Sequence, residues 1–122
     1  MYSMKLVTQK TGLSAPTLRY YEKEKLLPYV KRDKNGLRLY SDRDIKSILF
    51  IKALRSTDMP VREIKEYVRL YEDGDQSFQL RRDLLENHKT RVEENISLQI
   101  NYLKKIKEKL ALYDQSAPEL KR

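Results

Sequence analysis

The residues whose type and spacing suggest chemistry are basic and hydroxyl-bearing, and they gather near one end of the chain. Residues 1–40 hold nine Lys/Arg against three Asp/Glu, a net of +6. Residues 41–75 hold seven against eight (−1) and residues 76–122 ten against seven (+3), so the formal charge of +8 is concentrated rather than spread. A patch of this kind suits phosphate contact, because each neutralised phosphate releases counterions and strengthens binding. The alternative, that the excess only keeps the protein soluble, explains the total but not the placement. Within the basic segment two short runs stand out: Ser14, Pro16, Thr17, Arg19, Tyr20 and Tyr21, and then Arg32, Asn35, Gly36, Arg38 and Tyr40.

Other chemistries are excluded by composition. There are no cysteines and a single histidine, so disulfides, thiolate metal sites, cysteine nucleophiles and thiol redox sensing are out. No metal-ligand spacing, glycine-rich phosphate loop or Cys/His pair supports an enzyme, and no cofactor is expected. No run of eighteen apolar residues and no signal-peptide core is present, which places the chain in the cytoplasm with no membrane partner.

Three glycines and four prolines favour helices over a loop-rich barrel. Residues 4–11 read as a short helix stopped by Gly12, which tolerates the left-handed conformation. Ser14 then offers an N-cap and Pro16 fits a first turn, opening a helix over 15–25. Leu13, Leu18 and Tyr21 give that helix an apolar side, while Thr17, Arg19 and Tyr20 point elsewhere. Helix, glycine turn and helix in about twenty residues form a helix-turn-helix. Pro28 blocks further helix. Residues 29–32 and 37–40 are β-prone runs around Asp33-Lys34-Asn35-Gly36, and Asn-Gly signals a hairpin because both positions accept positive φ. A basic hairpin in this place is a wing.

Ser41 opens a third helix, with Asp42 and Asp44 near its positive end and Ile45, Ile48, Leu49, Ile51 and Leu54 as its buried face. Pro60 starts a fourth, with Val61, Ile64, Val68 and Tyr71 along one side. From Phe78 to Tyr113 there is no glycine or proline, which permits one helix of about 54 Å at the usual rise per residue. Leu85, Val92, Ile96, Gln99, Leu103, Ile106, Leu110 and Tyr113 form a seam of coiled-coil period, which a lone helix cannot bury. The expected organisation is a winged helix-turn-helix domain at 1–75, a dimerising helix at 76–113 and a polar tail at 114–122.

Leu18-Arg19-Tyr20-Tyr21-Glu22, then Leu26-Leu27, then Asn35-Gly36-Leu37-Arg38-Leu39-Tyr40-Ser41 closely resemble the mercury-resistance-regulator (MerR) family. Thr11-Gly12-Leu13-Ser14 matches its first turn, and Ser41 to Tyr71 its second helix-turn-helix. The resemblance covers residues 2–75 strongly and the long helix by position and pattern. It implies an antiparallel homodimer on double-stranded promoter DNA, sharing that promoter with RNA polymerase. Family members bend and untwist a spacer that holds two polymerase elements too far apart, so uncontacted steps contribute specificity.

Carried over residue by residue, Arg19 reaches a base edge or phosphate and the Tyr20 hydroxyl a phosphate. Ser14, Pro16 and Thr17 stand at a helix start that favours phosphate. Arg38, Asn35 and Gly36 match the wing's contacts, with Lys31, Arg32 and Lys34 adding charge. Tyr21 and Tyr40 belong to the matching runs, yet Tyr21, four residues after Thr17 and three after Leu18, fits the core at a helix–helix seam better than a contact, and Tyr40 could pack the hairpin onto the helices. Arg19 could instead pair with Glu22. Tyr67 and Tyr71 fit packing against the long helix, or with Phe78 a site for a small apolar inducer. His88 reads as solvent-facing, a metal or pH role being the lesser alternative.

The chain departs from the family pattern at Lys25, where a glycine commonly ends the recognition helix, and at Thr8 and Lys5, where smaller residues are frequent. No separate effector domain is expected after Tyr113, and there is no cysteine to bind metal or sense oxidation. The expected signal therefore differs from that of metal-sensing or iron–sulfur relatives. The rivals are a non-regulatory architectural DNA binder and an antitoxin-like interaction protein.

Overall fold

The computed structural model describes residues 1–116, and what was expected of the tail beyond Ser116 lies outside the described residues. The helices are α1 (Met4–Thr11), α2 (Ala15–Lys23), α3 (Asp42–Ser56), α4 (Val61–Glu72) and α5 (Phe78–Gln115). A two-stranded hairpin, β1 (Lys31–Arg32) and β2 (Arg38–Leu39), separates α2 from α3, and a 3-10 turn (Gly74–Ser77) precedes α5.

Each N-terminal helix starts where a hydroxyl can accept an orphan amide. Ser3 caps α1 through Leu6, Ser14 caps α2 through Thr17, and Ser41 caps α3 through Asp44. At α3 the exchange is reciprocal: the Asp44 carboxylate accepts from the Ser41 amide at 2.9 Å, a capping box that satisfies two donors at once. α1 stops at Gly12, where φ is +73°. Lys52 of α3 donates to the Thr11 carbonyl at 2.7 Å, closing that helix end from the neighbouring element.

α2 is shorter than the expected span to residue 25. Lys25 takes φ +61°, so the helix closes with Lys25 N–H on Glu22 O and Leu26 N–H on Tyr21 O, the pattern of a Schellman cap. A left-handed lysine costs about 1–2 kcal/mol. The cap turns Leu26 inward to 2% exposure, and burying a leucine contributes about 1.5–3 kcal/mol, so burial wins. The same device ends α3, where Asp58 takes φ +67° and Met59 is fully buried.

In the hairpin, Lys31 pairs with Leu39 and Arg32 with Arg38. Gly36 N–H donates to Asp33 O and Asp33 N–H to Leu37 O. Gly36 alone of Asn35-Gly36 has positive φ, +80°. The turn is thus a type I turn closed by a left-handed glycine rather than one with both residues left-handed. The Asp33 carboxylate holds it, accepting from the amides of Asn35 (2.8 Å) and Leu37 (3.0 Å). Tyr2 extends the sheet edge by bridging Tyr40.

Val7, Leu18, Tyr40, Ile48, Met59 and Ile64 are buried without measurable exposure and mark the core where α1, α2, the hairpin, α3 and α4 meet. The expected face of α3 is corrected at Leu49, which is exposed, and at Ile45, which is only half-buried. In α4, Leu70 is buried and Tyr71 exposed, so the face is rotated from the expected one.

The chain divides into two compact units between Leu84 and Leu85, so the first seven residues of α5 belong with the N-terminal unit. In the second unit, Ile96, Leu103, Ile106 and Leu110 are about half exposed. Gln99 is exposed too, and Leu85, Val92 and Tyr113 are partly covered. His88 departs from the solvent-facing expectation: it is buried, with Nδ1 3.4 Å from an Arg91 guanidinium nitrogen. It falls three residues after Leu85 and four before Val92, on the seam side of the helix.

Candidate nucleic-acid interface

The α2 helix separates its two roles by face. Leu18 and Tyr21 point into the core while Arg19 and Tyr20, the residues between them, are exposed. Arg19 has no ion-pair partner among the described residues; Glu22, the carboxylate expected to compete for it, is held elsewhere. A guanidinium standing free at a helix surface keeps its whole donor fork for an anion or a base edge. The Tyr20 ring leans on Tyr21 at a tilted 6.4 Å, which leaves its phenol at the surface.

Tyr21 and Tyr40, named with the candidate contacts, are corrected to core residues at 5% and 0% exposure. Burial pushes both phenols up from their ordinary value. Tyr21 is drawn inward because it shares a face with Leu18 three residues earlier. Tyr40 is drawn inward because its strand alternates, placing it beneath the hairpin, where its hydroxyl has no hydrogen-bond partner among the described residues.

The start of α2 offers fewer amides than expected. Pro16 has no N–H, the Thr17 amide goes to Ser14 Oγ at 3.2 Å, and the Leu18 amide goes to Ser14 O. Ser14 and Thr17 also share a hydroxyl–hydroxyl contact at 2.9 Å. What this corner presents outward is therefore Pro16, the Ala15 amide and the two hydroxyls.

At the wing, Asn35 and Gly36 form the exposed tip, with exposed Lys31 and Lys34 on either side of Arg32. Arg32 donates to Gly36 O at 2.8 Å and to Glu22 Oε1 at 3.3 Å. Arg38 Nε donates to the other oxygen of the same Glu22 carboxylate. The wing and α2 are thus tied by one acidic side chain. Glu22 and Asp33 hold this face in shape, a role that residue-type reasoning did not assign to either. The available signal was that only three acidic residues occur in a strongly basic stretch of forty.

Away from this face, a cavity of about 240 Å³ is lined by Leu27, Phe50, Leu54, Tyr67, Val68 and Tyr71, among others. Phe50 and Tyr67 stack at a tilted 5.9 Å. Phe78 is not in this lining, contrary to the expected grouping with Tyr67 and Tyr71. The Arg81 guanidinium lies over both the Tyr71 ring (4.9 Å) and the Phe78 ring (6.0 Å). Among the described residues, no group of three or more His, Asp or Glu side chains could hold a metal ion. No described helix is long and apolar enough to cross a membrane.

Residues 2–70 match the MerR HTH family of regulatory proteins, and residues 45–98 match the family's DNA-binding region (MerR, DNA binding). The chain belongs to the MerR family. An uncharacterised HTH-type transcriptional regulator of Haemophilus influenzae is 35% identical over 115 residues, covering 94% of this chain and 85% of that protein. The transcriptional regulator AdhR of Bacillus subtilis is 40% identical over 86 residues, covering 70% of this chain but only 61% of AdhR. Among solved structures, HiNmlR, a MerR family regulator lacking the sensor domain and bound to promoter DNA, matches with a TM-score of 0.87 at 35% identity. That match covers 93% of this chain and 90% of that one. A putative MerR family regulator from Listeria monocytogenes matches with a TM-score of 0.88 at 27% identity, covering 94% and 87%. The chain is accordingly a small transcription regulator of MerR type, mainly helical, with a winged helix-turn-helix and a long C-terminal helix.

Proposed function

We propose that this MerR-type regulator works as a homodimer on inverted-repeat promoter DNA and modulates transcription by bending and untwisting the spacer that RNA polymerase must read. The observation that carries the reading is α2. Its buried face anchors it by Leu18 and Tyr21, while Arg19 and Tyr20 stand exposed between them, Arg19 with no ion pair among the described residues. Arg19 then reads a base edge or a phosphate, and the Tyr20 hydroxyl, with those of Ser14 and Thr17, grips the backbone. The wing, through Arg32, Asn35, Gly36 and Arg38, holds the flanking duplex.

Two-fold reading needs two recognition helices at a fixed separation. The half-exposed seam of Ile96, Leu103, Ile106 and Leu110 supports a second copy as the partner of α5. With handles on both flanks, the uncontacted centre can be deformed, at a cost that depends on its sequence. Such a protein acts by binding alone, without a catalytic step or cofactor, in the compartment that holds the chromosome.

Selection of binding sites from randomised duplex DNA tests this. The expected product is an inverted repeat of fixed spacing, bound by two copies of the chain. Salt-sensitive binding with no consensus would support an architectural DNA binder instead.

A further inference from the structure

We infer that Glu22 is a positioning residue that fastens the wing to the recognition helix and withholds the charges of Arg32 and Arg38 from DNA that α2 does not fit. The inference rests on the DNA-binding reading given above. It starts from a geometry that composition alone did not require. The Glu22 carboxylate has one oxygen on Arg32 Nη2 (3.3 Å) and the other on Arg38 Nε. It thus joins α2 to both strands of the hairpin across ten and sixteen residues of sequence.

The pairing is selective. Within the basic first forty residues, Glu24 reaches Lys65 of α4 at 3.7 Å, and Asp33 is spent on the turn amides. Lys31, Lys34 and Arg19 have no ion-pair partner among the described residues. Of the basic residues in this segment, the two wing arginines alone face a carboxylate among the described residues, and that carboxylate sits three residues after the recognition arginine on the same helix. The Glu22 and Arg38 side chains are only 23% and 22% exposed. Partial burial weakens solvent screening and makes this pair stronger than an open surface pair. Arg32 is half exposed and also braces Gly36 O, so it can exchange its carboxylate for a phosphate more easily.

The consequence concerns discrimination. An arginine contributes to nonspecific affinity by displacing counterions from phosphate, and an arginine already facing a carboxylate contributes little. On duplex that α2 cannot enter, Arg32 and Arg38 remain with Glu22. On a duplex that seats α2 in the groove, phosphates are brought to the wing and compete for both guanidinia at fixed distance. Glu22 therefore lowers binding to the wrong DNA more than to the right one, which is how specificity is gained by penalising competitors.

The test measures affinity for a duplex of scrambled sequence as a function of salt, for the full chain and for Glu22→Gln. The freed arginines should raise nonspecific affinity roughly tenfold at low salt and steepen the slope of log K against log salt by up to about 2, near 0.9 per added phosphate contact. The same substitution placed on an Arg32→Ala/Arg38→Ala background should leave that slope unchanged. A thermal melt reports whether Glu22→Gln folds. Should it not, Glu22→Asp, which keeps the charge but withdraws the carboxylate by one methylene, carries the test with a smaller shift in the same direction. The inference is overturned if the folded variant keeps the parent's slope and nonspecific affinity. It is equally overturned if the shift persists undiminished without the two arginines, since net charge alone then explains it. Absence of salt-sensitive duplex binding by the unsubstituted chain would instead remove the DNA-binding reading itself.

Discussion

The N-terminal unit and the C-terminal part of α5 solve the same problem in opposite ways. In the first, five helical or hairpin elements cover one another, and Leu18, Tyr40, Ile48, Met59 and Ile64 lose essentially all contact with water. In the second, a single helix carries Ile96, Leu103, Ile106 and Leu110 with about half of each still exposed. The contrast teaches where each part's stability must come from. A folded cluster buries apolar surface within one chain, whereas a lone helix has no inward side of its own and leaves its stripe for the second copy proposed above. The N-terminal unit should therefore be stable at any concentration, and the function of the helix should depend on concentration.

The strongest way to break that contrast is at the seam. Replacing Leu103 and Ile106 together by Arg is expected to leave a folded monomer by sedimentation. Affinity for an inverted repeat should fall at least about a hundredfold, since linking two sites raises avidity by that order. An undiminished dimer would move the interface elsewhere. Next in size is the core of the N-terminal unit. Ile64→Ala removes a side chain with no exposure and should cost about 2–5 kcal/mol in urea unfolding, with the midpoint independent of protein concentration for the isolated unit's transition.

The interface residues come third. Arg19→Ala should lose about 1–3 kcal/mol of operator affinity and relax preference at one base position, while circular dichroism stays unchanged. Smaller again is the α3 cap. Ser41→Ala breaks the reciprocal bonds with Asp44 and should lower stability by about 1 kcal/mol, read by thermal melting. The smallest effect has the opposite sign. Lys25→Gly relieves a left-handed lysine and should stabilise by about 1 kcal/mol, with DNA affinity unchanged. A loss of affinity in that variant would mean that the Lys25 charge itself touches DNA.

Much of this architecture was legible before any coordinates. Gly12 as a helix stop, Ser14 and Ser41 as caps, the hairpin around Asn35-Gly36 and the uninterrupted run beginning at Phe78 all follow from local chemistry, and local chemistry acts over three to five residues. The candidate site was legible only in part. Helical spacing puts Arg19 and Tyr20 on the outer face of α2, but Tyr21 and Tyr40 lie in the core, since residues of one motif need not share a face.

What the amino-acid order determined by itself was the kind and position of each element, the concentration of positive charge at one end and the apolar period of the long helix. These depend on spacing along one chain. The tertiary structure alone decided that Leu26 and Met59 could offset left-handed residues before them, and that Tyr40 lies under the wing. It also decided that Glu22 meets Arg32 and Arg38. Each joins groups far apart in sequence or balances backbone strain against burial, and neither distance nor burial is a property of a residue until the chain has folded around it.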